Sequence, residues 1–198
     1  MASKLICLVG MCGAGKSEVA EYMIKKRKLG FLRFGQIVLD EVKKIIEKRG
    51  GKSTEALERK IREGFRKKYG MAAMAVLNIP KFDKLLKSGN TIGDGLYSWE
   101  EYLTLKKRYG KKFICVAVYA PPSVRYLRLE GRAEKHGLDE KLRFRSFTKE
   151  EAASRDKSEI ENLNKAGPIA MADYTVINNS DLVKLRGQVD EIMKRIFD

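Results

Sequence analysis

With 198 residues and 43% hydrophobic content, the chain is sized for one compact domain over 1–198 with a full core, which excludes the disordered and fibrous classes. No apolar run approaches the roughly 20 residues of a bilayer span, and no cleavage pattern follows Met1-Ala2-Ser3-Lys4, so the expected setting is cytoplasmic without a membrane partner. A net charge of +15 fits either an anionic partner or a solvated Lys-rich surface, while three cysteines without ligand spacing (Cys7, Cys12 and Cys115) exclude a zinc site and a disulfide framework.

Leu5-Ile6-Cys7-Leu8-Val9 is a continuous apolar run ending in a glycine loop, the pattern of a parallel strand buried on both faces. From Ser17 to about Lys28, Val19, Ala20, Met23 and Ile24 share one face of a predicted helix closed by Gly30. A short strand over Phe31-Leu32-Arg33-Phe34 precedes a helix with Val38, Val42, Ile45 and Ile46 on its apolar face and Gly50-Gly51 at its end. Ser53 or Thr54 caps a third helix, in which Leu57, Ile61 and Phe65 recur every four residues up to Tyr69-Gly70. A short helix from Met71 to Pro80 and a strand from Asn90 to Asp94 follow, then a capping box of Ser98 and Glu101.

Phe113 to Tyr119 reads as a buried strand ended by Pro121-Pro122, and Thr148 with Glu151 caps a helix predicted to run to about Ala166 and stop at Gly167-Pro168. Tyr174-Thr175-Val176-Ile177 is the last strand, before a helix carrying Leu182, Leu185, Val189, Ile192, Met193 and Ile196 on one face. Strands alternating with helices predict an α/β fold with a parallel sheet and a ligand at the carboxyl ends of the strands.

Gly10-Met11-Cys12-Gly13-Ala14-Gly15-Lys16-Ser17 fits G-x-x-x-x-G-K-[ST] and lies between a buried strand and an amphipathic helix. Glycines in such a loop let backbone N–H groups face phosphate oxygens, and the helix N-terminus adds a favourable dipole. Lys16 then reaches the β- and γ-phosphates of ATP, and Ser17 places its hydroxyl on Mg²⁺. Cys12 fits the loop as a small side chain or as a redox thiol. Asp94, at a strand end, is read either as the acid beside Mg²⁺ or as a turn aspartate before Gly95. Asp40 and Glu41 suit the first turn of a helix.

Arg125, Arg128 and Arg132 have helical spacing, so they form either a mobile phosphate clamp, with Gly131 and Gly137 as hinges, or an exposed face paired with Glu130 and Glu134. Arg155 supplies a further cation or pairs within its own helix, and His136 reads as a surface residue.

These residues resemble a mainly archaeal family of P-loop kinases related to nucleoside monophosphate kinases, adenylate kinase especially, and to dephospho-CoA kinase. The resemblance covers almost the whole chain. Its marks are the run Gly10 to Ala20, Phe34-Gly35, Arg66 before Tyr69-Gly70, Asp94-Gly95, Arg128-Leu129 with Arg132, Arg155-Asp156, Ala172-Asp173 and Asn178-Asn179. It implies a three-layer P-loop nucleotide-kinase fold with a five-stranded parallel sheet, an acceptor-binding helical segment at about 35–88 and an arginine-bearing lid at about 125–155.

For the site, the resemblance implies ATP on Gly10, Gly13, Ala14, Gly15, Lys16, Ser17 and Glu18, with Mg²⁺ near Ser17 and Asp94. Lys16, Asp94, Arg128, Arg132 and Arg155 then serve transfer to a small phosphorylated or hydroxyl acceptor. The sequence departs from monophosphate kinases at Gln36, Leu39 and Tyr97, where an acid and arginines grip the acceptor. Arg62 and Arg66, one turn apart, are the candidate replacements. The competing functions are an ATPase or nucleotide switch with a decayed acceptor site, and an NTPase associated with nucleic acid. The charge by itself supports only weak, sequence-indifferent nucleic-acid binding.

Overall fold

The computed structural model describes residues 2–51, 54–132 and 146–198. Its centre is strand β1 (Leu5–Val9), buried at every position. Alternate side chains of a strand point to opposite faces, so Leu5, Cys7 and Val9 enter one core while Ile6 and Leu8 enter the other. That division explains the unbroken apolar run.

Four more strands, β2 (Gly30–Arg33), β3 (Thr91–Asp94), β4 (Phe113–Tyr119) and β5 (Tyr174–Ile177), complete a five-stranded sheet of order β2-β3-β1-β4-β5. All strand pairs are parallel. The chain builds one side of β1 with β2 and β3, then crosses to the other with β4 and β5. The loop after β1 therefore stands at the reversal of strand order, where α/β sheets open a crevice.

Helices α1 (Lys16–Arg27), α2 (Gln36–Arg49), α3 (Glu55–Tyr69), α4 (Ala73–Ser88) and α5 (Trp99–Tyr109) lie in the first part of the chain. They are followed by α6 (Pro122–Glu130), α7 (Lys149–Glu161), α8 (Ala166–Ala170) and α9 (Leu182–Phe197). Val19, Ala20 and Met23 of α1 and Leu185, Val189 and Met193 of α9 cover Ile6 and Leu8. Val38 and Val42 of α2, Phe82 of α4 and Leu105 of α5 cover the opposite face. Fully burying a side chain of this size contributes about 1.5–3 kcal/mol, so these two apolar layers hold the helices against the sheet.

Local signals set several boundaries. Thr54 accepts from the Leu57 N–H at 3.2 Å, and both expected capping boxes, Ser98 with Glu101 and Thr148 with Glu151, are formed. Other boundaries differ from expectation. Helix α1 ends at Arg27, next to the expected Lys28, but its cap is Lys28 rather than Gly30: Lys28 adopts φ 51° and its N–H bonds the Ile24 carbonyl at 2.9 Å. Helix α4 runs through Pro80 to Ser88; proline removes one ladder bond, to Val76, and the packing of Phe82 in the core outweighs that loss.

The helix opened by Thr148 stops at Glu161, and Gly167-Pro168 lies inside the separate α8. Pro168 is third in that helix, within the first turn where an N–H has no intrahelical partner. Leu182, expected on the apolar face of α9, is 49% exposed at its first position. Among the described residues, no helix is long and apolar enough to cross a membrane.

Candidate functional site

The run from Gly10 to Gly15 leaves the end of β1 and enters α1 at Lys16. Its shape requires glycine, as two positions show. Gly15 takes φ 98° as the N-cap of α1, and a Cβ on Gly13 would stand 2.9 Å from the Arg125 carbonyl oxygen. Ala14 is buried in the core, and its carbonyl accepts from Asn178 Nδ2 at 2.8 Å. Lys16 Nζ donates to the carbonyls of Gly10 at 2.9 Å and Met11 at 3.2 Å. Burial first, and Lys165 second, pull the Lys16 pKa down to about 8.

Loop residues Cys12, Gly13, Gly15, Lys16 and Ser17 line one wall of a cleft of about 620 Å³. Asp94, at the end of the strand next to β1, lines the same cleft. Arg33 and Asp94 are register partners at the last positions of β2 and β3, so both side chains leave the same face at the carboxyl edge of the sheet. Arg33 Nε is 3.6 Å from Asp94 Oδ2, with the Asp94 side chain 8% exposed and that of Arg33 37% exposed. Gly35 and Tyr97 continue this wall.

The third wall comes from the end of α6 and the residues after it, Leu127, Arg128, Gly131 and Arg132. Arg128 Nη2 donates to Asn178 Oδ1 at 3.2 Å, while its buried Nη1 has no hydrogen-bond partner among the described residues. Asn178 thus ties the phosphate-type loop to an arginine of the third wall.

Lys16, Ser17, Asp94, Arg128 and Arg132 are therefore brought together with Gly13 and Gly15. Gly10, Ala14, Glu18, Arg62, Arg66 and Arg155 are not among the lining residues. Glu18 turns to Arg186 of α9 at 3.0 Å, on the far side of α1. Arg62 pairs with Glu58 at 3.5 Å, and Arg155 with Glu159 at 3.0 Å, each within its own helix. Arg66 has a buried Nε without a partner among the described residues and lies in the field of Glu101.

The expected stripe of three arginines does not form. Helix α6 ends at Glu130, so Arg132 lies past the break, and Arg125 is buried. Its guanidinium bonds both Asp156 oxygens at 3.0 and 2.6 Å and also donates to the Ala120 and Cys12 carbonyls. Arg125 is a strut between α6, α7 and the loop. Glu134, His136 and Gly137 lie outside the described residues.

Sequence reasoning assigned no role to Arg33, Glu21 or Lys165. A cation near the carboxyl end of the strand predicted over Phe31-Leu32-Arg33-Phe34 was the available signal for Arg33. Lys165 is 2% exposed, bonds Glu159 at 2.6 Å and stands 4.3 Å from the Tyr97 ring centroid, a contact that needs the fold to be seen. Glu101, fully buried, accepts from the Tyr97 N–H at 2.9 Å, and burial pushes its pKa up to about 7. Among the described residues there is no group of three or more His, Cys, Asp or Glu side chains placed to hold a metal ion.

A family model described as an AAA domain matches residues 6–164, from β1 past the end of α7. A UPF0200 protein of Pyrococcus abyssi (strain GE5 / Orsay) is 32% identical over 195 residues, covering 98% of this chain and 97% of its own. The chain belongs to the AAA domain and UPF0200 families. A second UPF0200 relative, from Sulfurisphaera tokodaii, is 32% identical over 194 residues and is covered to 98% on both sides.

Among solved structures, TT1252 from Thermus thermophilus has a TM-score of 0.62 at 16% identity, with 100% of both chains covered. Shikimate kinase from Bacteroides thetaiotaomicron has a TM-score of 0.57 at 17% identity, with 98% of each chain covered. A gluconokinase from Sinorhizobium meliloti 1021 has a TM-score of 0.56 at 13% identity, covering 99% of this chain and 97% of its own. The expected α/β P-loop kinase fold is thereby borne out for this UPF0200 chain.

Proposed function

We propose that the chain is an ATP- and Mg²⁺-dependent phosphotransferase acting on a small nucleotide-like acceptor. The observation that carries this reading is one cleft lined at once by the glycine loop, Lys16, Ser17, Asp94, Arg128 and Arg132. Backbone N–H groups of the loop and the N-terminus of α1 suit the phosphates of ATP. Lys16 exchanges its two carbonyl partners for phosphate oxygens, and the unsatisfied Nη1 of Arg128 takes a further one.

Ser17 and Asp94 offer hard oxygen donors to one cleft, a donor set that fits Mg²⁺. Ser17 and Asp94 would hold the ion, which would supply charge neutralisation to the transferring phosphate. The chain's own part is positioning and charge stabilisation: Lys16 from the loop and Arg128 from α6 act on the donor phosphates, while the acceptor approaches along Arg33, Gly35 and Tyr97.

A second reading, an ATPase or nucleotide switch with a decayed acceptor site, is favoured by the absence of Arg62 and Arg66 from the cleft lining. An ATP-consumption screen over nucleoside monophosphates, dephospho-CoA, shikimate and gluconate, with a no-acceptor control, separates the two. Stimulation by one acceptor supports the phosphotransferase. Equal hydrolysis with every compound assigns the chain to the second reading.

A further inference from the structure

We infer that Arg33 receives the anionic group of the acceptor, a phosphate or a carboxylate, and that until it does so it restrains Asp94 from the metal. This inference rests on the phosphotransferase reading. Four cations line the cleft among the described residues: Lys16, Arg33, Arg128 and Arg132. Lys16 begins α1, and Arg128 and Arg132 belong to the third wall. Arg33 alone among them stands at the end of β2, on the other side of β1 from β4, the strand that leads into α6.

Its state suits an exchangeable cation. The Arg33 side chain is 37% exposed, and no hydrogen bond ties its guanidinium among the described residues. At 3.6 Å, its contact with Asp94 is an ion pair beyond ordinary hydrogen-bond length. The guanidinium keeps its planar fork available for a two-oxygen anion, which a phosphate or a carboxylate supplies.

Asp94 has the complementary property. Its side chain is 8% exposed, and the register of β2 on β3 sets Arg33 beside it. A carboxylate engaged by an arginine is a weaker donor to a cation, since the guanidinium charge opposes the second positive charge. When an anion draws Arg33 away, that opposition falls and Asp94 turns its full charge to the metal. Acceptor and Mg²⁺ then strengthen each other's binding by one shared factor, because linkage is reciprocal. Without acceptor, the paired acid limits idle ATP hydrolysis.

The test measures the affinity of the full chain for the non-hydrolysable analogue AMP-PNP with and without Mg²⁺. The ratio of the two dissociation constants is the readout, and no turnover is needed. Inorganic phosphate and acetate are held at fixed concentration in separate arms throughout the AMP-PNP titrations, with chloride holding ionic strength constant, and the ratio is the constant without Mg²⁺ over that with it.

For wild type, at least one of the two anions is expected to raise the ratio about fivefold or more, and the one that does so identifies the acceptor group. Arg33→Gln should show a raised ratio without any anion and respond less than twofold to either. Arg33→Lys, which keeps the charge without the fork, should keep the low starting ratio and respond weakly. Asp94→Asn should lower the ratio in every arm. If neither anion changes the wild-type ratio, or if Arg33→Gln matches wild type throughout, the role of Arg33 is overturned while the nucleotide site stands. If AMP-PNP fails to bind wild type with Mg²⁺ present, the phosphotransferase reading itself falls.

Discussion

At Lys16 the cleft concentrates a half-buried ammonium, two loop carbonyls and a buried cation, Lys165, whose charge adds to desolvation in lowering the Lys16 pKa. A lysine in that setting costs folding energy and gains its compensation when phosphate charge arrives. Lys16→Ala should therefore reduce phosphoryl transfer by about a hundredfold or more while leaving the melting temperature within a few degrees of wild type. Turnover and thermal unfolding measured on the same preparation check it; retained turnover with an intact fold removes Lys16 from the mechanism. Glu101 is the second residue with a buried charge to manage. Its Oε2 accepts from the Tyr97 N–H, while Oε1 is buried without a partner among the described residues. Burial lifts its pKa from 4.5 to about 7, with Arg66 and Lys165 opposing the rise. The folded chain thus holds a proton that the unfolded chain releases above 4.5, so this group's contribution is complete below 4.5 and is lost as pH rises through about 7. Glu101→Gln keeps an accepting oxygen and removes the titration. It should match wild type near pH 4.5 and exceed it by about 2–3 kcal/mol at pH 8, as read from urea unfolding across that range. An unchanged pH profile would sink the assignment.

Among the elements, the junction of α6, α7 and the glycine loop depends most on one side chain. Arg125 bonds Asp156 through two nitrogens and reaches the Cys12 carbonyl, so the rear of the loop is fixed to the same ion pair that joins two helices. Removing one partner of a buried pair leaves the other charge uncompensated. Arg125→Met should cost about 3–5 kcal/mol, and adding Asp156→Leu should recover much of that loss in a double-mutant cycle by denaturant unfolding. Additive losses would mean that the pair does not act as a unit. This junction also marks the limit of sequence reading. The capping boxes at Ser98 and Thr148 and the strand β1 were legible because their signals are local: a side chain meets a backbone group three positions away, or an apolar run fills both faces of a sheet. The glycine loop was legible for the same reason. Arg125 was not, since helical spacing alone does not tell that its partner Asp156 arrives from another helix, nor that α6 ends before Arg132. The Arg33 and Asp94 contact needs the register of β2 on β3, which no local pattern contains. Helix α4 passes Pro80 because core packing of Phe82 outweighs a single missing hydrogen bond, a tertiary effect that propensity cannot weigh.

On the scale of the whole molecule, the charge of +15 has to be divided between the cleft and the outer surface. The cleft accounts for a small part: Lys16, Arg33, Arg128 and Arg132 face Glu21 and Asp94 there. Much of the remainder is distributed over helix surfaces and partly paired, as with Arg59 and Glu63, Arg108 and Asp83, or Lys81 and Asp40. Exposed pairs of this kind contribute about 0–1 kcal/mol each, so they do not explain the excess as a stability device at ordinary temperature. The excess does create a long-range positive potential, which attracts polyanions without reading them. Binding of RNA or duplex DNA should consequently be weak, indifferent to sequence, and lost steeply between about 50 and 200 mM salt. Fluorescence anisotropy with two unrelated oligonucleotides across that salt range checks it, and a second series with saturating AMP-PNP locates the contact. Competition by the nucleotide would place the polyanion in the cleft, whereas indifference assigns it to the outer helices. Tight binding to one oligonucleotide at physiological salt would instead require base contacts beyond phosphate attraction, and would turn the reading of this chain toward an NTPase that works on nucleic acid.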